Sequence, residues 1–208
     1  MKTTKMLREM LNSGEPFLTA GANDALSAVI AERAGFKAVT MGGYLATAVS
    51  LARPDIGLMT MTEMAEQARR ICAVTNIPLI ADADNGHVKV LNVIRTIQEL
   101  ENAGAAGVVL EDQVMPKRCG HMAGKKVIPM EEHVQKIRAA VYARKDPDFI
   151  IIGRTDARQA HGLDDAIARA KAYAEAGADV VFVEAQESME ELERIPKEIK
   201  GVPLVVNM

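Results

Sequence analysis

The sequence predicts an α/β chain folded as a parallel (β/α)8 barrel of the TIM type, with about seven of the eight βα units present. Three observations lead there. Short apolar, β-branched runs alternate with longer helical patterns from end to end, as βα units around a parallel sheet require. The exits Ala34-Gly35, Ala103-Gly104 and Ala176-Gly177 repeat one device, a glycine where a left-handed helix cap is needed just before a strand. Polar residues collect at the C-terminal end of nearly every apolar run. A doubly wound open sheet shares the alternation, but convergence of strand ends on one mouth favours the barrel.

Strands are expected at Phe17 to Ala20, Ala38 to Met41, Pro78 to Ala81, Gly107 to Leu110, Phe149 to Gly153, Val180 to Val183 and Pro203 to Val206. Helices fall between them. Thr62 to Val74 is opened by a Thr60/Glu63 capping box, Val90 to Ala103 and Asp164 to Ala176 carry helical spacing, and Pro129 to Ala143 has proline at its start. The expectation is one barrel domain over residues 1–208, without a linker and incomplete at its C-terminus, poorly stable by itself and a homo-oligomer when extended.

Composition narrows the partners. Of 208 residues 49% are hydrophobic and 25% charged, enough for a full core and against disorder. A net charge of −3 and no basic stripe with interleaved aromatics argue against nucleic acid. The N-terminal segment lacks an apolar signal core and no stretch suits a bilayer, so no membrane role and a cytoplasmic location are expected. With two cysteines, Cys72 in a helical apolar pattern and Cys119 in a loop, neither a disulfide scaffold nor a zinc cage is suggested.

Strand ends read in order give Met41-Gly42-Gly43-Tyr44, Asp82-Ala-Asp84-Asn-Gly86, Glu111-Asp112, Arg154-Thr-Asp156, Glu184 and Asn207, all expected at one mouth. Asp82 and Asp84, two apart after a strand, point to the same side. With Glu111 they offer hard oxygen ligands for Mg²⁺ or Mn²⁺; alone, Asp-x-Asp is more often a solvated turn or a cap. Gly42-Gly43 either cradles an anionic oxygen or makes a tight turn, and Tyr44 brings a phenol able to exchange a proton with a substrate hydroxyl. Arg154 suits carboxylate binding, or an ion pair with Glu184 or Glu111. Cys119, flanked by Lys117, Arg118 and His121, sits in positive potential that favours a thiolate, with Gly120 freeing the loop; the bland alternative is an unreactive surface thiol. His87, His133 and His161 lack metal-ligand spacing and read as structural or surface residues.

Taken together, Gly21-Ala-Asn-Asp-Ala25, Gly42-Gly-Tyr44, Pro54-Asp55-Ile-Gly57, Asp82-Ala-Asp84-Asn-Gly86, Glu111-Asp-Gln113, Lys117-Arg-Cys-Gly-His121, Arg154-Thr-Asp156 and Val183-Glu184-Ala185 resemble the isocitrate lyase and phosphoenolpyruvate mutase superfamily. The likeness is to its branch of 2,3-dimethylmalate lyase, petal death protein and 2-methylisocitrate lyase. It covers essentially the whole chain, and the cysteine motif points to members that cleave C–C bonds. The resemblance implies Asp82 on Mg²⁺, with Asp55, Asp84 and Glu111 around the ion. It places Cys119, Tyr44, Arg154, Lys117, His121 and Glu184 in the catalytic set, and Gly42, Gly43, Gly120, Arg154 and Asn207 on substrate. Cys119 would protonate the departing carbanion. The family usually has serine where Gly42 stands, and it continues past Asn207 into helices exchanged between subunits, so a tetramer is expected.

The activity implied is Mg²⁺-dependent lysis of a substituted malate, resembling 2,3-dimethylmalate, to pyruvate or a related α-keto acid plus a carboxylic acid. A 2-methylisocitrate lyase or an oxaloacetate-type decarboxylase on the same scaffold is the alternative among enzymes. A non-catalytic binding remnant is the alternative of another class.

Overall fold

The computed structural model describes residues 1–119, 122 and 124–207. Among them, seven strands form one parallel sheet in chain order: β1 Ala20–Gly21, β2 Val39–Met41, β3 Leu79–Asp82, β4 Gly107–Glu111, β5 Ile150–Thr155, β6 Val180–Val183 and β7 Leu204–Val205. Helices alternate with them: α1 Thr3–Asn12, α2 Ala25–Arg33, α3 Gly43–Leu51, α4 Met61–Cys72, α5 Val90–Asn102, α6 Met130–Ala143, α7 Ala157–His161, α8 Leu163–Glu175 and α9 Met189–Glu198. This is the α/β barrel architecture that the alternation predicts.

Strand parity separates two packing layers. Ile151, Val181, Val183, Leu79 and Ala81 belong to the large cluster that faces the helices. Their neighbours Ile80, Ile150, Ile152, Val180 and Phe182 form a second cluster on the opposite face, joined by Leu7 of α1 and flanked by Leu11, Phe17, Val109 and Val205. That second face is the barrel interior, and α1 stoppers its lower end. Arg8 anchors the helix there, donating to Asp179 at 2.8 Å and to the carbonyl of Pro147 at 3.1 Å.

Local chemistry explains the boundaries. Thr60 accepts from the Glu63 N–H while Glu63 returns to the Thr60 N–H at 2.8 Å, the capping box expected for α4. Gly35, Gly104 and Gly177 all have positive φ, between 92° and 105°, at the three repeated helix exits. Two expectations shift. β1 lies at the end of the Phe17 to Ala20 run because Phe17 packs inward instead of extending the ladder. Gly42 and Gly43 are the N-cap and first residue of α3, an extra helix favoured by the alanine- and leucine-containing stretch that follows, and not a free-standing turn. No described helix is long and apolar enough to cross a membrane.

Candidate active site

The interior parity that buries Ile80, Ile152 and Phe182 carries on to the C-terminal ends of the strands and sets the site. Two residues beyond them stand Asp82, Arg154 and Glu184, and in the same way Glu111 follows Val109 and Asn207 follows Val205. Each strand that contributes apolar filling to the lower barrel contributes one polar side chain to its mouth. These side chains line a cavity of about 170 Å³ together with Gly42, Gly43, Tyr44, Asp55, Lys117, Arg118 and Cys119.

On one wall, three aspartates surround a single ammonium. Lys117 is buried, with its Nζ 3.1 Å from Asp55, 4.0 Å from Asp82 and in closer contact with Asp84. Asp82 is further held by the N–H groups of Gly43 at 2.9 Å and Asp84 at 2.8 Å. Burial alone would raise the Asp82 pKa, but Lys117, Arg154 and these two N–H groups keep it below its ordinary value. Asp84, with fewer donors, is pushed up by burial to about 6 despite Lys117. Lys117 is raised: burial opposes its charge, and Asp82, Asp84, Glu111 and Asp55 outweigh it. A Cβ on Gly43 would stand 2.8 Å from the Lys117 ammonium and 3.0 Å from Asp82, so only glycine admits this approach.

On the facing wall, Arg154 is clamped by Asp156, which accepts from Nε and Nη2 at 3.0 Å each. Its Nη1 lies 3.3 Å from Glu184, its Nη2 3.6 Å from Glu111, and its guanidinium 5.4 Å above the Phe182 ring. Arg154 is thus ion-paired, as one reading expects, and it also lines the cavity. Asn207 donates to Glu184 at 3.4 Å. Burial raises the Glu111 pKa well above the carboxylate range, more than Arg154 and Lys117 lower it. Its Oε1 is buried without a hydrogen-bond partner.

Cys119 lines the cavity half-buried, and Tyr44 stands at its rim, 55% exposed, in the first turn of α3. The Lys117 charge, expected beside the thiol, is directed instead into the aspartate cluster, where three carboxylates attract it. His121 and Gly120 lie outside the described residues. Asp112, expected at the mouth with Glu111, faces the opposite way because adjacent strand residues alternate faces. It accepts from Thr155 Oγ1 at 2.7 Å, Tyr173 Oη at 2.7 Å, Arg169 at 3.2 Å and the Asp156 N–H at 2.9 Å, behind the sheet. His133 is fully buried against Tyr173, with ring centroids 4.5 Å apart, and His161 is surface-exposed beside Asp165. Cys72 is half-buried, and burial pushes its thiol up to about 11, the inert state expected of it. Arg118 and the clamp of Asp156 on Arg154 were not anticipated as site features. The two-residue spacing of Arg154 and Asp156 was the available signal for the clamp.

The donor chemistry suits a divalent cation. Asp55, Asp82 and Asp84 bring hard carboxylate oxygens from the first wall and Glu111, whose Oε1 has no partner, brings others from the facing one, and the Gly43 cradle leaves room where a side chain would intrude. As placed, no three acidic, histidine or cysteine side chains among the described residues gather closely enough to hold a metal, because the Lys117 ammonium stands between the aspartates. A cation already draws these carboxylates together.

Residues 7–208 match the family model described as phosphoenolpyruvate phosphomutase. The chain belongs to this family. It is 48% identical over 204 residues to 2,3-dimethylmalate lyase of Eubacterium barkeri, covering 98% of this chain and 71% of that protein. A solved 2,3-dimethylmalate lyase, described as a phosphoenolpyruvate mutase/isocitrate lyase superfamily member, superposes with a TM-score of 0.94 at 38% identity over 98% of this chain and 69% of that one. Petal death protein of Dianthus caryophyllus is 48% identical, covering 97% of this chain and 63% of that protein. A phosphonopyruvate hydrolase solved with oxalate and Mg²⁺ gives a TM-score of 0.89 at 36% identity, covering 98% and 71%. The chain thus spans about two thirds of the length of the relatives it matches. The superfamily and barrel expected from the motifs are borne out.

Proposed function

We propose that this barrel belongs to a Mg²⁺-dependent carbon–carbon lyase that cleaves a substituted malate, resembling 2,3-dimethylmalate, into pyruvate or a close α-keto acid and a carboxylic acid. The observation that carries this reading is the pairing of walls across one small cavity: an aspartate cluster on one side, and on the other an arginine clamped so that Nη1 faces inward. A cavity of about 170 Å³ suits a compact diacid. Relatedness to a lyase of that substrate class adds support.

Asp82, with Asp55, Asp84 and Glu111 around it, would hold the ion, and Lys117 would give up the centre of the cluster. Bound there, Mg²⁺ or Mn²⁺ supplies a Lewis acid for the oxygens of an α-keto acid. Arg154 takes the substrate carboxylate, and Gly42 and Gly43, at the start of α3, would meet the substrate from the aspartate wall, where the Gly43 N–H already donates to Asp82. Tyr44 or a neighbouring carboxylate removes the hydroxyl proton, and Cys119 delivers a proton to the carbon that leaves. Lys117, Arg118 and Cys119 line the cavity, and closure of the loop that carries them would exclude water. Assembly as a homotetramer and action in the cytoplasm complete the reading.

The test is a pyruvate-release screen over 2,3-dimethylmalate, 2-methylisocitrate, oxaloacetate and simpler malates, on this chain and on a C-terminally extended one, with and without EDTA. Release from a substituted malate that chelation abolishes and Mg²⁺ restores is expected. Release from oxaloacetate alone would move the assignment to the decarboxylase reading, and absence of Mg²⁺ affinity would favour a non-catalytic binding protein.

A further inference from the structure

Arg154 is ringed by three buried carboxylates, Asp156, Glu111 and Glu184. A guanidinium so outnumbered is a poor receptor for a fourth carboxylate, since each added anion meets net negative charge at short range in a medium that screens little. One cation offsets this from behind. Lys125 places its Nζ 3.0 Å from Asp156 Oδ1, with both side chains fully buried, and it is not among the residues that line the cavity. Asp156 is thus shared: Lys125 and Arg154 grip its carboxylate together, while its backbone N–H is fixed by Asp112 at 2.9 Å. Arg154 and Lys125 both lower the Asp156 pKa against the effect of burial.

Lys125 also lies on the chain segment that carries Lys117 and Cys119. That segment is tied at both limbs: the Val114 N–H donates to the Lys126 carbonyl at 2.8 Å, and the Ile128 N–H to the Asp112 carbonyl at 2.9 Å. The Gln113 side chain bonds both backbone groups of Arg118 at 2.9 Å. The segment over the cavity is therefore joined to the anion-facing arginine through one buried carboxylate.

We propose that Lys125 is a positioning residue that neutralises Asp156, so that Arg154 can receive a substrate carboxylate, and that couples the described residues 113–119 and 124–128 to that receptor. The inference rests on the assignment of Arg154 under Proposed function. Oxalate is the probe, titrated calorimetrically in saturating Mg²⁺. Lys125→Met is expected to weaken oxalate binding at least about tenfold while the Mg²⁺ titration stays within about threefold of wild type, and Lys125→Arg, which keeps the charge, is expected to restore oxalate binding. Oxalate affinity of Lys125→Met within twofold of wild type overturns the proposal, as does a loss that Lys125→Arg shares in full. If wild type itself fails to bind oxalate, the assignment of Arg154 fails and the coupling is judged by hydrogen exchange. Arg154→Lys leaves Lys125 and Asp156 in place but removes the two-point grip, so exchange at backbone amides 125–128 should quicken at least about threefold. Unchanged exchange there refutes the coupling independently.

Discussion

Glu111 and Asp112 are neighbours in sequence and opposites in setting. Both are buried, and burial raises both carboxyls above their ordinary range. Asp112, behind the sheet, accepts from Thr155, Tyr173, Arg169 and a backbone N–H, so its lone pairs are committed. Glu111, inside the mouth, keeps one oxygen with no partner and meets Arg154 only at 3.6 Å. The difference teaches how a barrel divides labour across one strand: a saturated carboxylate holds helices to the sheet, and an unsaturated one waits for a ligand.

The largest expected effect breaks the outer half of this pair. Asp112→Ala removes one of the two carboxylates that Arg169 meets and leaves two hydroxyls and an N–H without their acceptor, and should cost about 3–5 kcal/mol in urea unfolding. Glu111→Gln, a near-isosteric change at a carboxyl whose charged form burial already disfavours, should stay within about 1 kcal/mol of wild type while abolishing the proposed lyase activity. Equal destabilisation by the two would erase the distinction.

Acid titration sharpens it next. Burial, with Lys136 nearby, depresses His133 to about 3, so the unfolded chain takes up that proton first and stability is lost as pH falls from about 6.5 toward 3. The slope is about 1.4 kcal/mol per pH unit. Asp84, raised to about 6, works in the opposite sense: its contribution is present below about 4 and lost as pH rises through 6. Asp84→Asn should therefore steepen the acid loss between pH 4 and 6, and His133→Leu should flatten it. Denaturant midpoints across that range are the measurement, and profiles superimposable on wild type would contradict both assignments.

Cys119→Ser probes the mouth alone. A positioned thiol exchanged for a much weaker acid should lower turnover of the proposed lyase by about a hundredfold, with the melting temperature unchanged. Near-native turnover would return Cys119 to the role of a bystander at the rim.

The smallest effects separate two adjacent glycines. Gly43→Ala crowds Asp82 and Lys117 and should weaken Mg²⁺ binding about tenfold. Gly42→Ser meets nothing within 4 Å at its Cβ and supplies a better N-cap to α3, so stability should change by only about a few tenths of a kcal/mol. Calorimetry on the two variants suffices, and a reversed order would mean that the cradle lies elsewhere.

Much of this was legible in the sequence because period-2 alternation is a local rule. Asp82, Glu111, Arg154, Glu184 and Asn207 reach one mouth, as their spacing from the apolar runs requires, whereas Asp84 lies past β3 with a φ of 48° and meets the cluster through Lys117. The same rule, applied strictly, would have sent Asp112 to the far face. What the sequence did not disclose depends on contacts distant along the chain. Lys117 reads locally as a partner for Cys119 but finds Asp55 and Asp84 in space, and nothing local to Lys125 announces Asp156. The helix that begins at Gly43 was hidden by a glycine pair that usually signals a turn.

The stopper that α1 places in the lower barrel has a consequence for traffic. With Leu7 packed against Ile80, Ile150, Ile152, Val180 and Phe182, the interior below the mouth is solid, and the barrel is a cup, not a pipe. A ligand held at the strand ends therefore has no passage down the barrel axis. Under the proposed cleavage, both fragments would leave on the mouth side, above the floor that Leu7 completes.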